Sequence, residues 1–518
     1  MRNFIILPHY FTYMKLLSPA ISRLARLRLD AIAQWQAHPI EAQRAVLQHL
    51  VTEAQYTAFG RRHRFSHTFK IREFKQAVPI HTYEDLQPWI EKMMRGEENL
   101  LWNTPIEWFA KSSGTTSHRS KFIPVSQQSL DENHYQCSKD VLTLYYFHFP
   151  DSDLLTGKGL VIGGSHQVSQ LGEDIKYGDL SAVLMQNTPF WGHWLRTPEL
   201  SIALLDEWET KIEQLAQTTI HENVTSISGV PTWTLVLCRR ILEITGKKCI
   251  KEVWPNLELY MHGGVSFTPY RQQFEQIMGA PIYYLEMYNA SEGFFAAQTH
   301  PGEDGMLLML DHGIFYEFMP IDEYGKDNPK TIGLQDVEVG KNYAPVISTT
   351  GGLWRYLLGD TIQFTSVFPF RVKVSGRLKH YINAFGEEVI VDNTDHALAI
   401  ACQQCGATVN DYTAAPVYFS GQGKGAHEWL VEFDIAPPDP ETFAQALDDA
   451  LRQINSDYDA KRYKDIALER LQLTLLPQGS FNEWLKSKGK LGGQHKVPRL
   501  SNTRQYVDEI LQMATHSQ

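Results

Sequence analysis

Four short segments carry side chains whose types and spacing can do chemistry. The first is Ser112-Ser-Gly-Thr-Thr-Ser-His-Arg-Ser-Lys121. Small side chains let backbone N–H groups approach an anion, hydroxyls add donors, and two cations follow. That is phosphate-binding chemistry, although the GxxxxGK[ST] pattern of a Walker loop is missing. The second is Tyr283-Tyr-Leu-Glu-Met-Tyr-Asn-Ala-Ser-Glu-Gly293. Tyr288 offers a ring that can stack on a base. Glu292 offers a hard oxygen of the kind Mg²⁺ accepts between phosphates. The third, Trp354-Arg-Tyr-Leu-Leu-Gly-Asp360, places a carboxylate at a tight turn, where it can accept two ribose hydroxyls. The fourth, Ser375-Gly-Arg-Leu-Lys379, supplies two cations. Each has a plainer alternative: a polar turn, a core tyrosine with a capping glutamate, a Gly-Asp turn, a solvated charged loop.

These segments need elements to hold them. Short apolar runs bounded by Gly and Pro predict strands at Ile106–Ala110, Leu160–Ile162, Ser226–Gly229, Glu258–Met261 and Ile282–Leu285. Helical patterns over Ser201–Thr219 and Thr232–Thr245 separate them. Alternating strands and helices predict an α/β sheet with ligand sites at strand ends. The first 60 residues read as packing helices broken at Pro39. The alternative is a membrane-surface stretch around Arg23, Arg26 and Arg28. Past Arg377 the texture changes. A strand–turn–strand leads to a helix over Thr394–Cys405, strands at Pro416–Ser420 and Glu428–Asp434, and a helix over Pro440–Tyr458. This reads as a smaller α+β unit, and the predicted division is 1–378 and 379–518. Gly421-Gln-Gly-Lys-Gly425 reads as a hairpin turn.

Composition narrows the classes. With 518 residues, 43% hydrophobic and 21% charged, the chain fits a globular enzyme and not a disordered one. Its net charge of −11 excludes a whole-chain basic footprint for nucleic acid. Five cysteines, an odd and sparse set, predict a reducing cytoplasm and not a disulfide framework. No apolar run approaches the ~18 residues of a membrane span. Cys402 and Cys405 form a lone CxxC with no second ligand pair nearby, which argues against zinc. The partners expected are small and soluble.

Taken in order and spacing, the four segments resemble the adenylate-forming superfamily of acyl-CoA synthetases, nonribosomal adenylation domains and beetle luciferases. The loop corresponds to Ser112–Ser117 with Lys121, the Tyr-Gly-x-Thr/Ser-Glu motif to Tyr288–Glu292, the ribose-binding Gly-Asp to Gly359-Asp360, and the hinge to Gly376-Arg377. The details are closest to the auxin-responsive acyl acid amido synthetases and their bacterial relatives. Lys121-Phe-Ile-Pro-Val-Ser126, Arg355–Asp360, Gln494-His-Lys-Val-Pro-Arg499 and Ala54–Gly60 carry that likeness. Ser117 and Asn289 depart from it, each standing where the superfamily has glycine.

The resemblance implies a large, multi-subdomain N-terminal adenylate-forming domain and a small mobile C-terminal cap. It implies ATP and Mg²⁺, adenylation of a carboxylic acid, then transfer to an amino acid amine. An acyl-CoA ligase, with a thiol acceptor, shares the first half-reaction. By position, Ser112, Ser113, Gly114, Thr115 and Thr116 cradle phosphates, and Lys121 either touches the β/γ-phosphates or braces the loop. Tyr288, Asn289 and Ser291 line the nucleotide site, Glu292 binds the metal and Asp360 the ribose. Arg377 and Lys379 contact nucleotide or control the hinge. Lys496 is the swinging lysine expected of the family, with Lys490 its rival. Val230, Trp233, His262, Gly263 and Gly264 are expected at the acyl pocket, and the protein is expected to be a monomer.

Overall fold

A computed structural model describes residues 27–112, 121–163, 168–171, 174–188, 190–205, 207–265, 267, 270–378, 381–387, 389–418, 424–465, 467–488 and 497–516. The fold is mixed α/β. Among the described residues, its main sheet has twelve strands, eleven of them in one row. One half is parallel: Lys158–Val161, Val224–Ser228, Leu259–Gly263 and Tyr283–Ala290 pair in that order. Their buried apolar residues include Val224, Ile227, Leu259, Tyr260 and Leu285, beside the buried polar Thr225 and Ser226. The other half is antiparallel and runs from Gly293–Ala297 through Met306–Leu308, Phe370–Arg377, Asp360–Val367 and Asn342–Thr349 to Ile314–Pro320. Tyr283–Ala290 is the pivot, with a parallel neighbour on one side and an antiparallel hairpin on the other.

That pivot explains the position of the site. In open α/β sheets, ligands bind beyond the carboxyl ends of the parallel strands. Here those ends are Ser228, Gly263 and Ala290. A separate four-stranded sheet carries Trp108–Ser112 antiparallel to Lys121–Val125. Ser112 and Lys121 are register partners at the end of that pair.

The C-terminal part has a helix at Val391–Cys405 and a three-stranded sheet of Thr408–Val417, Ala426–Ile435 and Gln472–Leu476. One apolar cluster runs through both parts of the chain: Leu160, Trp233 and Tyr270 share it with Ile382, Phe385 and Tyr458. Among the described residues, no helix is long and apolar enough to cross a membrane.

Two predicted helices are interrupted. The stretch Ser201–Thr219 is two helices, Leu200–Ala203 and Trp208–Thr219, because the Glu207 carboxylate caps the second through the N–H groups of Glu209 and Thr210. The stretch Pro440–Tyr458 ends at Ile454, where Asn455 leaves the helix and caps Ser456–Arg462 through the Tyr458 N–H. Arg28 does not face a lipid surface. It makes a two-point ion pair with the fully buried carboxylate of Asp140.

Candidate active site

The site grows from the end of Tyr283–Ala290. Tyr288 is 8% exposed and its ring tilts against Phe295, with centroids 4.9 Å apart. Its hydroxyl donates to Oδ2 of Asp360 at 2.8 Å. Asp360 opens the strand Asp360–Val367 immediately after Gly359, whose φ of +93° is open to glycine at no steric cost. The Leu378 N–H donates to the Gly359 carbonyl, and Asp360 lies opposite Arg377 in the antiparallel pair. Tyr288, Asp360 and the backbone of Arg377 thus meet at one place.

Glu292 is half-buried in the turn between Tyr283–Ala290 and Gly293–Ala297. Its Oε1 accepts from the Tyr356 hydroxyl at 3.3 Å. Burial, and then the Glu292 charge, push the Tyr356 hydroxyl well above the usual phenol range, so it stays a donor. Asn289 adopts an ordinary strand conformation opposite Phe294, so no unusual backbone angle is needed where the superfamily has glycine. Its Oδ1 lies 3.5 Å from where a Cβ on Gly263 would stand. Ser291 is half-buried in the same turn as Glu292.

The expected acyl-pocket residues gather at the neighbouring strand ends. Val230 precedes the helix Pro231–Thr245, and Trp233 is buried in its first turn. His262 is buried and stacks on Phe267, with centroids 4.0 Å apart. Burial lowers its pKa to about 3, so it is a neutral ring near pH 7. Its Nδ1 has no hydrogen-bond partner among the described residues. Gly263 lies against the Met287 carbonyl and Gly264 against Val230.

Lys121 is half-buried with its ammonium 5.7 Å from the Tyr83 ring centroid, and Ser112 ends the partner strand. Ser113, Gly114, Thr115, Thr116, Ser117, Lys379, Lys490 and Lys496 lie outside the described residues, as does the Arg377 side chain.

Two contributors escape a reading by motif. Arg355 looks like a site cation but is a buried clamp. Its guanidinium takes both oxygens of Glu317, at 2.8 and 2.9 Å, and donates to the carbonyls of Val78 and Lys75. It holds φ at +43°, an uncommon angle for a side chain of this size, just before Tyr356. Tyr356 is the other, because only the fold brings its hydroxyl to Glu292. A lone charge inside the apolar run Leu353–Leu358 is the available signal for Arg355. Tyr356 has none.

Comparison with known proteins gives a consistent picture. The chain matches the GH3 family N-terminal domain over residues 28–282, the central domain over 307–377 and the C-terminal domain over 392–505. It is 23% identical to an indole-3-acetic acid-amido synthetase, GH3.3 of Arabidopsis thaliana, over 88% of each chain. Among solved structures, the GH3.15 acyl acid amido synthetase in complex with 2,4-DB superposes with a TM-score of 0.61 at 18% identity, covering 94% of this chain and 96% of that one. A 2-hydroxyisobutyryl-CoA ligase in complex with 2-HIB-AMP and CoA superposes with a TM-score of 0.57 at 15% identity, covering 92% and 93%. These two likenesses establish the shared fold. The three domain matches, in order along nearly the whole chain, establish that it belongs to the GH3 family.

Proposed function

We propose that this protein activates a carboxylic acid with ATP, forming an acyl-adenylate and pyrophosphate, and transfers the acyl group to the amine of an amino acid. The observation that carries this reading is the Tyr288–Asp360 hydrogen bond at the strand-end crevice. It orients a carboxylate for ribose hydroxyls beside the turn that holds Glu292, in a chain whose relatives are named amido synthetases.

The first half-reaction brings a carboxylate to a polyphosphate, so charge is its main obstacle. Mg²⁺ would supply charge neutralisation and orientation of the phosphates. Glu292 fits as its protein ligand. It is a hard oxygen donor, half-buried and oriented by Tyr356, and Mg²⁺ is commonly held by one or two carboxylates plus phosphate oxygens and water. Among the described residues, no three His, Cys, Asp or Glu side chains converge on a possible ion, so the remaining ligands are assigned to substrate and water. The loop Ser112–Thr116 with Lys121 is assigned to the phosphates. Arg377 and Lys379 are assigned to nucleotide and hinge, and Lys496, or its rival Lys490, to the adenylation step. The second half-reaction starts from an activated anhydride and needs orientation, worth about 7–11 kcal/mol where geometry is fixed. Residues 1–378 form the working large unit and 379–518 the cap, in a monomeric, cytoplasmic enzyme.

Acid-dependent ATP–pyrophosphate exchange across a panel of carboxylic acids tests the first step. Amino acids and coenzyme A, offered to the exchanging acid, test the second. Exchange with amide formation is expected. No exchange with any acid overturns the reading, and exchange followed only by thioester formation replaces the acceptor. Alanine variants of Lys490 and Lys496, assayed for each half-reaction, choose between the two lysines.

A further inference from the structure

Glu286 sits in the pivot strand Tyr283–Ala290 with its carboxylate unbonded. Alternate side chains of a strand share a face, so Tyr284, Glu286 and Tyr288 stand on one side. Glu286 is two residues, about 7 Å, before Tyr288, whose hydroxyl marks the nucleotide end of the crevice. Its register partner in the parallel strand Leu259–Gly263 is His262. The Glu286 backbone is tied to Gln298 in both directions: its N–H donates to Oε1 and its carbonyl accepts the Gln298 N–H. The half-buried carboxylate itself accepts no hydrogen bond and joins no ion pair among the described residues. Burial raises its pKa, and the Arg271 charge opposes that from a distance.

Arg271 opens the helix Arg271–Met278, and among the described residues its guanidinium makes no hydrogen bond or ion pair. It lies instead over two rings, 5.3 Å from the Phe267 centroid and 5.6 Å from that of Tyr284. The two rings pack with centroids 5.2 Å apart. Phe267 also stacks on His262, which is 2% exposed and whose Nδ1 has no partner. The Arg271 charge acts on both His262 and Glu286. One aromatic wall thus carries a cation over its rings, an acid beside it and a neutral imidazole behind, and the acid and the cation do not pair.

An acid and a guanidinium held apart on one wall suit a ligand that brings both opposite charges. A half-buried carboxylate is best satisfied by a charge-assisted bond from an ammonium. A guanidinium receives a carboxylate through two parallel N–H bonds. An α-amino acid carries the two groups on one carbon. His262, neutral through burial, adds no positive charge to compete with the incoming ammonium. We infer that Glu286 receives the ammonium of the acceptor amino acid and Arg271 its α-carboxylate, so that the two form the acceptor subsite next to the nucleotide end of the crevice. This assignment deepens the proposed acid–amino acid ligation and rests on it.

Glu286→Gln keeps the shape and removes the charge. Arg271→Met keeps a stem over the rings and removes the guanidinium. Four measurements on the full-length enzyme separate their roles: ATP–pyrophosphate exchange with an accepted acid, amide formation with an amino acid, amide formation with its α-carboxamide, and hydroxamate formation with hydroxylamine. The carboxamide keeps the ammonium and lacks the carboxylate. Hydroxylamine is largely uncharged near pH 7 and lacks both. Glu286→Gln should raise KM by about tenfold or more for the amino acid and for the carboxamide, and Arg271→Met for the amino acid alone. Exchange and hydroxamate formation should stay within about twofold in both variants, a split that a general structural loss does not give. Glu286→Asp, which keeps the charge, should fall between wild type and Glu286→Gln. An unchanged KM for the amino acid in Glu286→Gln, or an equal loss of exchange and hydroxamate formation, overturns the assignment alone. A wild-type enzyme that exchanges with no acid, or joins none to an amino acid, overturns the ligase reading and this assignment with it.

Discussion

Removing one oxygen atom tests the geometry of the nucleotide side most directly. Tyr288→Phe keeps the ring against Phe295 and deletes the hydroxyl that donates to Asp360 at 2.8 Å. Both residues are 8% exposed, so water replaces the bond poorly. A hydrogen bond to a charged group in such a place contributes about 1.5–3 kcal/mol. At ~1.4 kcal/mol per factor of ten, that is about 10- to 150-fold, an upper bound on the effect on binding. Part of the loss falls on the free protein as well, so the lower end is expected for the nucleotide. KM for ATP in pyrophosphate exchange should rise about tenfold, with the rate at saturating ATP held within a factor of about three. Because the hydroxyl acts by aiming Asp360, the double variant with Asp360→Asn should be no worse than Asp360→Asn alone, the non-additive result expected of contacting groups. An unchanged KM for ATP in the tyrosine variant, or single effects that multiply in the double variant, would refute this account.

Three other outcomes follow from the same coordinates. Arg355→Met removes the two-point partner of the Glu317 carboxylate, 1% exposed, and leaves it only Lys75 at 3.4 Å and the Thr331 hydroxyl, so it should cost about 3 kcal/mol in denaturant unfolding, the low end for breaking a buried pair. Adding Glu317→Gln should recover part of that loss. Gly359→Ala meets no atom within 4 Å, so its cost is backbone strain at φ +93°, roughly 1–2 kcal/mol. It should raise KM for ATP together with a small fall in melting temperature. At Asp140 burial is the largest influence and raises the pKa, yet the hydrogen bonds from Arg28 and His312 together outweigh it and hold the carboxyl below its usual range. A depressed folded-state pKa gives stability that is present above the unfolded value of about 3.9 and is lost as pH falls through the folded one. Asp140→Asn should therefore lower the urea midpoint at pH 7 and flatten its decline between about pH 4 and 3.

The sequence makes some of this legible and hides the rest for physical reasons. Gly359-Asp360 can be read because a glycine that frees φ and an acid that follows it are local facts. The parallel strands can be read because short apolar segments such as Leu259–Met261 stand between Gly- and Pro-bounded turns. The bond from Tyr288 to Asp360 cannot. Four strand-to-strand steps separate Tyr283–Ala290 from Asp360–Val367 in the sheet. At about 4.8 Å per step, a flat sheet would hold them roughly 19 Å apart. A direct hydrogen bond means that the sheet curls strongly here. Register shifts at Phe294/Ala296, Thr361/Ile362 and Phe364/Ser366 are the bulges that bend it. Bulges of this kind leave no clear mark on the hydrophobic pattern.

The way this acidic chain disposes its carboxylates separates support from site. Three buried acids are held by arginines: Asp140 by Arg28, Glu317 by Arg355 and Asp448 by Arg462. A guanidinium neutralises the acid it orients, so these pairs fix backbone and leave little field for a ligand. Glu292 and Asp360 each accept a phenol hydroxyl. A phenol donor fixes the direction of a carboxylate, which suits an acid assigned to a cation or to a pair of hydroxyls. Arg355 connects the two arrangements. Its N–H groups tie the carbonyls of Lys75 and Val78, on the early helical region, to the segment that presents Tyr356, and Tyr356 in turn holds Glu292. The helix Ile71–Ala77, which lies beyond the first 60 residues read as packing helices, is therefore part of what aims the carboxylate assigned to Mg²⁺.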